Sequence, residues 1–388
     1  MNLQLTLITL ISGTCIGAGM MALPMVLAKI GIVPSLIVIV LTWLFTYYTS
    51  LINVELTLHC KDVGHSTKFL SEEFSGVKTR AIEEFTTKLL SYSALSAYIY
   101  GCSSIFQKLT NNNLFLIQTI LAVFIIILFL FQSNIISKVN SFIFFIFISL
   151  LLFIIIRLVF CVNFSNIPLI VDGNFYNIPS IIILVFTSFG YQLIFYTIRD
   201  YCENDVKMMI KVILYGSIIP MFVYILWAFS SISVIYDRNI DFFNLMATSD
   251  VDVGDFIKEL SKIFSFQGLQ IMFYWICIFT IFTSIIGVGL SLLEYYNLKL
   301  KGNVSQPRLL SSLITVIPPY IVSTLVPNAF TKILDFAGIL LIIISILIPI
   351  YLYFKANIEQ SYLKIFNKYA LILCLFISIL IIFLSFFY

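Results

Sequence analysis

Long apolar stretches separated by short polar ones follow one another along nearly the whole chain. A helix needs about 20 residues to cross the ~30 Å hydrocarbon layer of a bilayer, and eleven stretches come close to that length. They lie at about 5–28, 34–58, 86–107, 114–133, 140–161, 178–198, 209–234, 268–293, 308–326, 332–354 and 369–387. The pattern therefore predicts an all-α integral membrane protein with about eleven transmembrane helices.

The eleven stretches divide into two sets of five and one additional stretch. Because five is odd, the two sets must insert with opposite orientations, and each begins with a stretch interrupted by Gly and small polar residues. Interrupted helices at matching places of two halves are typical of inverted repeats in secondary transporters. We therefore predict a first repeat over 1–161, an inverted second repeat over 162–354 and an additional helix over 355–388.

Composition places these stretches in a lipid bilayer. The chain is 61% hydrophobic and 11% charged, with a mean hydropathy of +1.06, whereas a soluble domain is about 25% charged. Cytoplasmic loops are enriched in Lys and Arg. A cytoplasmic N-terminus would put 15 of the 22 basic residues inside and 7 outside, which favours the N-terminus inside and the C-terminus outside. The net charge of +3 then reflects topology and indicates no nucleic-acid partner.

The cysteines and histidines give no sign of catalysis or metal binding. The seven cysteines are scattered singly, without a Cys-x-x-Cys pair, and His59 and His65 lie in a polar loop. An intramembrane enzyme would need a nucleophile with its base, or a metal cluster, at membrane depth. A channel would need a repeated filter sequence or a ring of charges. The sequence therefore predicts no enzyme, no metal and no cofactor, and it favours a carrier over a pore.

The first stretch contains three glycines and a proline, which is costly for a helix. Gly loses about 1 kcal/mol relative to Ala in a helix interior and Pro about 3, and lipid offers no water to a freed amide. We expect residues 13–19 to leave the helix and a half-helix to begin near Met20, with Pro24 within about its first turn. The amides of that half-helix suit a carboxylate, and the carbonyls of the preceding one, which ends near Ser12 or Cys15, suit an ammonium group.

The alternative for these glycines is packing, because Gly-x-x-x-Gly is also the small-residue motif of membrane helices. The additional Gly19 and Pro24, together with a second interruption, favour binding over packing. The candidate binding residues at this first break are Cys15, Ile16, Gly17, Ala18, Gly19 and Met20.

A second break is predicted near residue 188, in the matching place of the second half. The segment 186–192 carries two hydroxyls, an amide and three aromatic rings, a composition that suits a pocket for an apolar or aromatic side chain. The candidate pocket residues are Phe186, Ser188, Phe189, Gly190, Tyr191 and Gln192. The alternatives are rings that face lipid and a Gln192 side chain that hydrogen-bonds a neighbouring helix.

A transporter of this kind also needs a coupling ion. Intramembrane acids are candidates for proton coupling, and Glu55 and Asp335 lie toward the ends of their stretches, where an interfacial or salt-bridged role is the alternative. Sodium is the other possible ion, with ligands from carbonyls at the first break and from hydroxyls. The hydroxyl candidates are Thr14, Thr283 and Ser284.

The segment Gly13-Thr14-Cys15-Ile16-Gly17-Ala18-Gly19-Met20-Met21-Ala22-Leu23-Pro24 resembles the opening signature of the bacterial hydroxy/aromatic amino acid permeases. These are tyrosine- and tryptophan-specific transporters of the amino acid–polyamine–organocation superfamily. Stretches 186–191 with 216–220, 283–290 and 336–338 agree with the same family, so the resemblance covers nearly the whole chain in the right order.

The resemblance implies an eleven-helix, leucine-transporter-like 5+5 inverted repeat with discontinuous first and sixth helices. It implies that Gly17, Ala18 and Gly19 meet the substrate carboxylate and that residues 188–191 border its amino group and side chain. Two departures stand out. Gln192, which cannot titrate, replaces a His that many members carry, and Phe195-Tyr196-Thr197 replaces the common Ile-Pro-Ser.

Residues and resemblance together predict an importer in the bacterial inner membrane. Its substrate would be an aromatic amino acid (tyrosine, tryptophan or phenylalanine), carried by proton symport with alternating access, and its other partner would be membrane lipid. The alternative is a sodium-coupled or exchange transporter of a different neutral amino acid.

Overall fold

The chain folds almost entirely into helices. The computed structural model describes residues 3–59, 70–171, 175–202, 205–264, 267–302, 304–326, 329–356, 358, 363 and 366–386. These residues contain no β-strand, which confirms the predicted all-α class.

Seventeen α-helices make up the described part of the chain. Those of the first half are α1 (Leu3–Cys15), α2 (Ala18–Leu27), α3 (Ile32–Leu58), α4 (Leu70–Ser75), α5 (Val77–Thr110), α6 (Leu114–Phe129) and α7 (Ser133–Phe160). The rest are α8 (Ile178–Ser188), α9 (Phe195–Tyr201), α10 (Val206–Arg238), α11 (Ile240–Thr248), α12 (Val253–Ser261), α13 (Gln267–Leu300), α14 (Pro307–Leu325), α15 (Ala329–Ile342), α16 (Ile348–Lys355) and α17 (Lys368–Ser385). A 3-10 turn over Tyr191–Ile194 separates α8 from α9, and a π turn over Ile343–Leu347 joins α15 to α16.

Several helices are long and apolar enough to cross a membrane, so the chain is a multi-pass membrane protein. Six qualify among the described residues: α3, α10, α13, α14, the segment Phe330–Lys355 and α17. The bent pair α1 and α2 counts as a seventh if it forms one span. The other predicted stretches also coincide with helices, but eleven crossings, the inverted repeat and the repeat boundaries stay predictions.

The two halves interlock through the broken helices. Helix α1 packs against α10, and α2 packs against α8, so the beginning of the first half lies directly on the beginning of the second. Helix α5 packs against α13, α14 and α15 and forms a central support. Helix α17 lies at the periphery, with little of its apolar surface buried.

A helix pair, α11 and α12, covers one end of the bundle. It occupies the long loop between α10 and α13 and packs against α2, α5 and α10. Asp252 caps α12 by accepting from the Gly254 amide at 2.8 Å, and the same carboxylate accepts from Tyr100 of α5 at 2.7 Å and from Ser104. An ion pair of 2.9 Å between Lys29 and Asp250 closes the same end. This end is therefore tied shut by several polar contacts.

The opposite end of the bundle has its own polar cluster, which joins α5 to α13. Lys88 donates to Glu84 and to the Tyr295 hydroxyl, each at 2.6 Å, and Tyr295 donates to Glu84. These hydrogen bonds hold the pKa of the Glu84 carboxyl below its usual range, with the bond from Lys88 as the main cause. The polar loop that contains Cys60 and His65 lies near this end in sequence, but residues 60–69 lie outside the described residues.

Candidate functional site

The first break is shorter than the sequence predicts. Helix α1 continues through Cys15, only Ile16 and Gly17 leave the helical path, and α2 begins at Ala18 with a bend of 51°. The expectation that residues 13–19 unwind is therefore wrong. Each helical hydrogen bond kept at membrane depth avoids an unpaired amide, and the Ile16 amide still donates to the Ser12 carbonyl at 2.9 Å.

Pro24 lies in the second turn of α2, later than predicted, because that helix begins before Met20. A proline has no N–H to donate to the carbonyl four residues earlier, which here belongs to Met20. The indole N–H of Trp227 donates to that carbonyl at 3.0 Å. The proline is therefore tolerated because a side chain of α10 replaces the missing donor.

Two glycines at the first break allow other helices to approach closely. A β-carbon at Gly17 would lie 2.5 Å from Ser284 Oγ, and one at Gly19 would lie 3.1 Å from both the α-carbon and the hydroxyl of Ser188. The same Ser284 hydroxyl accepts from the Ala18 amide at 3.1 Å. The packing interpretation thus accounts for both glycines, and their predicted contact with a substrate stays a prediction.

The second break lies where the sequence predicts it. Helix α8 ends at Ser188, Phe189 and Gly190 connect it to the 3-10 turn, and the Gly190 amide donates to the Thr187 carbonyl at 3.1 Å. A β-carbon at Gly190 would lie 3.1 Å from that carbonyl oxygen. Since Gly19 touches Ser188, the two breaks lie side by side.

Tyr224 of α10 joins the two breaks. Its hydroxyl lies 2.7 Å from the Cys15 carbonyl oxygen and 2.6 Å from the Ser188 carbonyl oxygen, which are the last residues of α1 and α8. Its ring packs against Phe189 with the centroids 5.0 Å apart. Tyr224 was not among the predicted site residues. Its hydroxyl within an apolar stretch was the available signal, because such a group must find a partner where lipid and side chains exclude water.

The predicted aromatic residues of the second break are buried. Phe186 is 2% exposed and Phe189 0%, so the alternative of rings that face lipid is wrong for both. The remaining side chains of the first break, Ile16 and Met20, are buried as well. The structure therefore gathers the residues of both breaks into one closed, packed region.

Two predicted pocket residues instead face α3. The Tyr191 hydroxyl accepts from Ser50 Oγ at 2.9 Å, and the Gln192 amide nitrogen lies 3.3 Å from the Thr46 carbonyl, Thr49 Oγ1 and Ser50 Oγ. The alternative of a helix–helix hydrogen bond is therefore confirmed as a contact for Gln192. Its Oε1 atom is buried and has no hydrogen-bond partner within the described residues.

The coupling candidates are separated by the fold. Ser284 reaches the first break, and Thr283, one residue before it, is buried and donates to the Thr280 carbonyl at 3.0 Å. Thr14 is exposed, and its hydroxyl donates to the Leu10 carbonyl of its own helix.

The two acidic candidates lie toward opposite ends of the bundle. Glu55 is fully buried near the end of α3, where it accepts from the Leu363 amide at 3.1 Å and lies 3.8 Å from the His59 ring. Asp335 lies in α15, near Lys29 and Asp250 of the closed end, and its Oδ1 atom is buried with no hydrogen-bond partner in the described chain. Glu55 thus bonds near Leu363 and His59, and Asp335 faces the closed end, so these contacts lie away from the two breaks.

A separate cavity of about 670 Å³ lies between α5, α6, α7 and α13. Its walls are almost entirely apolar, and none of its lining residues belongs to either break. In the described residues no group of three His, Cys, Asp or Glu side chains is arranged to hold a metal ion. Six cysteines there are unpaired, and Cys60 lies outside the described range.

Comparison with known proteins shows that nearly the whole chain matches one protein family. Residues 3–385 match the model of the tryptophan/tyrosine permease family. The chain is 27% identical over 367 residues to tyrosine-specific transport system 1 of Haemophilus influenzae, covering 90% of this chain and 87% of that protein. It is 24% identical to glutamine transporter 2 of Aliivibrio fischeri (88% and 86% covered) and 21% identical to the tryptophan-specific transport protein of Shigella flexneri (88% and 84% covered).

Proposed function

The chain belongs to the tryptophan/tyrosine permease family, and we propose that it imports an aromatic amino acid by secondary active transport. The proteins of that family are transport proteins and not enzymes. The observation that carries the proposal is the meeting of two interrupted helices, each ending in a carbonyl that reaches one tyrosine hydroxyl. Several relatives are named as tyrosine or tryptophan transporters. The family therefore favours tyrosine and tryptophan as first candidates.

The proposed site holds both ends of a zwitterionic amino acid. The carboxylate would meet the amides at the start of α2, at Ala18 and Gly19, where the helix dipole favours negative charge. The ammonium group would donate to the carbonyls of Cys15 and Ser188, which lie at helix C-termini and favour positive charge. The side chain would then extend toward the buried rings of Phe186 and Phe189 at the second break.

We further propose the fold that this transport cycle needs. Eleven crossings in a 5+5 inverted repeat would place both breaks at the midplane, and rocking of one set of helices against the other would expose the site to each side in turn. The excess of basic residues in the predicted inside loops supports a cytoplasmic N-terminus in the bacterial inner membrane. Under that orientation, the helix pair α11–α12 covers the outer side.

Proton symport is the proposed coupling, and sodium is the alternative. Gln192 carries no proton, so the acid must lie elsewhere, with Glu55 and Asp335 as the proposed candidates. The contact of Ser284 with the first break favours sodium, because a hydroxyl and nearby backbone oxygens are ligands suited to a hard cation. Uptake measured with a proton gradient in sodium-free buffer, and with a sodium gradient at equal pH, separates the two.

Counterflow tests the proposed transport directly. Proteoliposomes loaded with unlabelled tyrosine should accumulate external labelled tyrosine transiently above equilibrium, which a pore cannot do. Tryptophan and phenylalanine should compete with the label. The absence of uptake for every aromatic and hydroxy amino acid, with and without a pH gradient, would refute the proposal.

Two glycine substitutions provide matched variants for this assay. Gly19→Val should abolish counterflow without preventing membrane insertion, because its branched β-carbon would meet Ser188 and separate the two breaks. Gly287→Val should leave counterflow within about twofold of wild type, since a β-carbon at Gly287 meets nothing within 4 Å. Equal activity of the two variants would contradict the placement of the site at the breaks.

A further inference from the structure

The Tyr224 hydroxyl faces more acceptors than it has protons. It lies 2.7 Å from the Cys15 carbonyl oxygen and 2.6 Å from the Ser188 carbonyl oxygen, and the tyrosine is 0% exposed. A hydroxyl carries one hydrogen and can donate to only one oxygen at a time. The other carbonyl then faces a lone pair at hydrogen-bond distance in a region without access to water.

Both carbonyls lie where a helix ends, so the helix itself does not supply their donors. The last four carbonyls of an α-helix have no intrahelical partner, and a buried carbonyl without a donor costs free energy. The protein must therefore supply a donor whenever the region is closed. Tyr224 is the side chain that does so here.

We propose that Tyr224 takes the place of the substrate's ammonium group in the empty carrier. This inference rests on the proposed function. In the loaded carrier the ammonium group, with three N–H donors and no acceptor, can satisfy both carbonyls at once. In the empty carrier the hydroxyl is the one donor that the carbonyls of Cys15 and Ser188 share, serving one of them at a time, and this allows the site to close without substrate. Tyr224 is in this sense a positioning residue for the empty state.

The proposed role of Tyr224 has different consequences for net uptake and for exchange. Net uptake requires the empty carrier to close and reorient in every cycle, whereas exchange of internal for external substrate uses only the loaded carrier. Loss of the hydroxyl removes the one donor that the two carbonyls share in the empty closed state, and it leaves the loaded state unchanged. A variant without it should therefore exchange substrate normally and fail in net uptake.

Tyr224→Phe tests this inference in proteoliposomes. Net uptake of labelled tyrosine into vesicles without internal substrate should fall about tenfold or more, while exchange against internal tyrosine stays within about twofold of wild type. Tyr92→Phe is the matched control, because its hydroxyl bonds Tyr296 and the Ile314 carbonyl, away from the breaks. It should leave the ratio of uptake to exchange unchanged.

Other outcomes overturn the inference without touching the proposed function. Equal loss of uptake and exchange in Tyr224→Phe, or no change in either, would refute it while wild-type counterflow still stands. Failure of the wild type itself would refute the proposed function instead. If the variant does not fold, competition on wild-type protein decides. 3-(4-hydroxyphenyl)propionate lacks the ammonium group, so it should displace labelled tyrosine at least about tenfold more weakly than tyrosine does. Equal displacement would overturn the inference together with the proposed contact of the ammonium group with the two carbonyls, whereas wild-type counterflow would still support transport.

Discussion

A single atomic overlap at the first break gives the sharpest structural prediction. Replacing Gly17 by Ala puts a β-carbon 2.5 Å from Ser284 Oγ, about 0.9 Å closer than the 3.4 Å at which ordinary contact begins. The next nearest atom, Ser284 Cβ, lies at 3.9 Å and is an ordinary contact. The whole overlap therefore depends on one hydroxyl oxygen.

The overlap can be relieved in two ways, and both are costly. A shift of the helices costs about 1–3 kcal/mol as overpacking. Rotation of the Ser284 hydroxyl removes the acceptor of the Ala18 amide, and an unpaired buried donor costs about 1–3 kcal/mol. Gly17→Ala should therefore destabilise the protein by about 1–3 kcal/mol. Ser284→Ala should cost a similar amount, because it removes the same acceptor.

The double substitution decides whether this reasoning is right. Without the Ser284 oxygen the new methyl group has room, so the double variant should be no less stable than Ser284→Ala alone. Melting temperatures of the four proteins in detergent measure the coupling, expected at about 1–3 kcal/mol in favour of the double variant. Additive losses in the double variant would refute the claim that Gly17 is required by the contact with Ser284.

Two further predictions concern polar contacts elsewhere in the bundle. Lys88 lowers the pKa of Glu84 in the folded protein, so this pair stabilises the fold above the unfolded pKa of about 4.3. That contribution is lost as the pH falls through the folded pKa. Glu84→Gln should therefore flatten the fall in melting temperature at acid pH, and an unchanged profile would contradict the pairing. Trp227→Phe should destabilise the protein by about 1–3 kcal/mol, because it leaves the Met20 carbonyl without a donor. Adding Pro24→Ala should recover part of that loss, because the new amide can donate to the same carbonyl. Equal losses with and without Pro24→Ala would contradict the claim that Trp227 replaces the amide that Pro24 lacks.

The sequence was sufficient for the class of protein and for the existence of both breaks. Hydropathy alone separates lipid-buried helices from loops, and Gly190 with its polar neighbours marks the second break because helix-breaking residues at membrane depth need a reason. The family signature around Gly17 supplied the kind of substrate. These signals are local, which is why they can be read from a linear chain.

The exact limits of the first break were not predictable in the same way. Three glycines predict a long unwound segment, yet α1 persists through Cys15 because it continues to form hydrogen bonds there. Gly19 remains in α2, and its lack of a side chain serves contact with Ser188. Whether a glycine ends a helix or admits a neighbour depends on the neighbour, and only the tertiary structure identifies it.

The directions of the side chains at the second break also could not be predicted from the sequence. Tyr191 and Gln192 are the first two residues of a 3-10 turn, which directs both side chains toward α3 instead of toward the first break. Tyr224 lies 209 positions from Cys15 and was not selected, although its hydroxyl makes the contact that joins the two breaks. Long-range hydrogen bonds of this kind depend on helix register, which one sequence does not reveal.

The most direct test of the central claim is an experimental structure of the protein with tyrosine bound. We expect the tyrosine nitrogen within hydrogen-bond distance of the Cys15 and Ser188 carbonyl oxygens, and the carboxylate at the amides of Ala18 and Gly19. Tyrosine bound in the apolar cavity between α5, α6, α7 and α13, with the two breaks still closed on Tyr224, would contradict it.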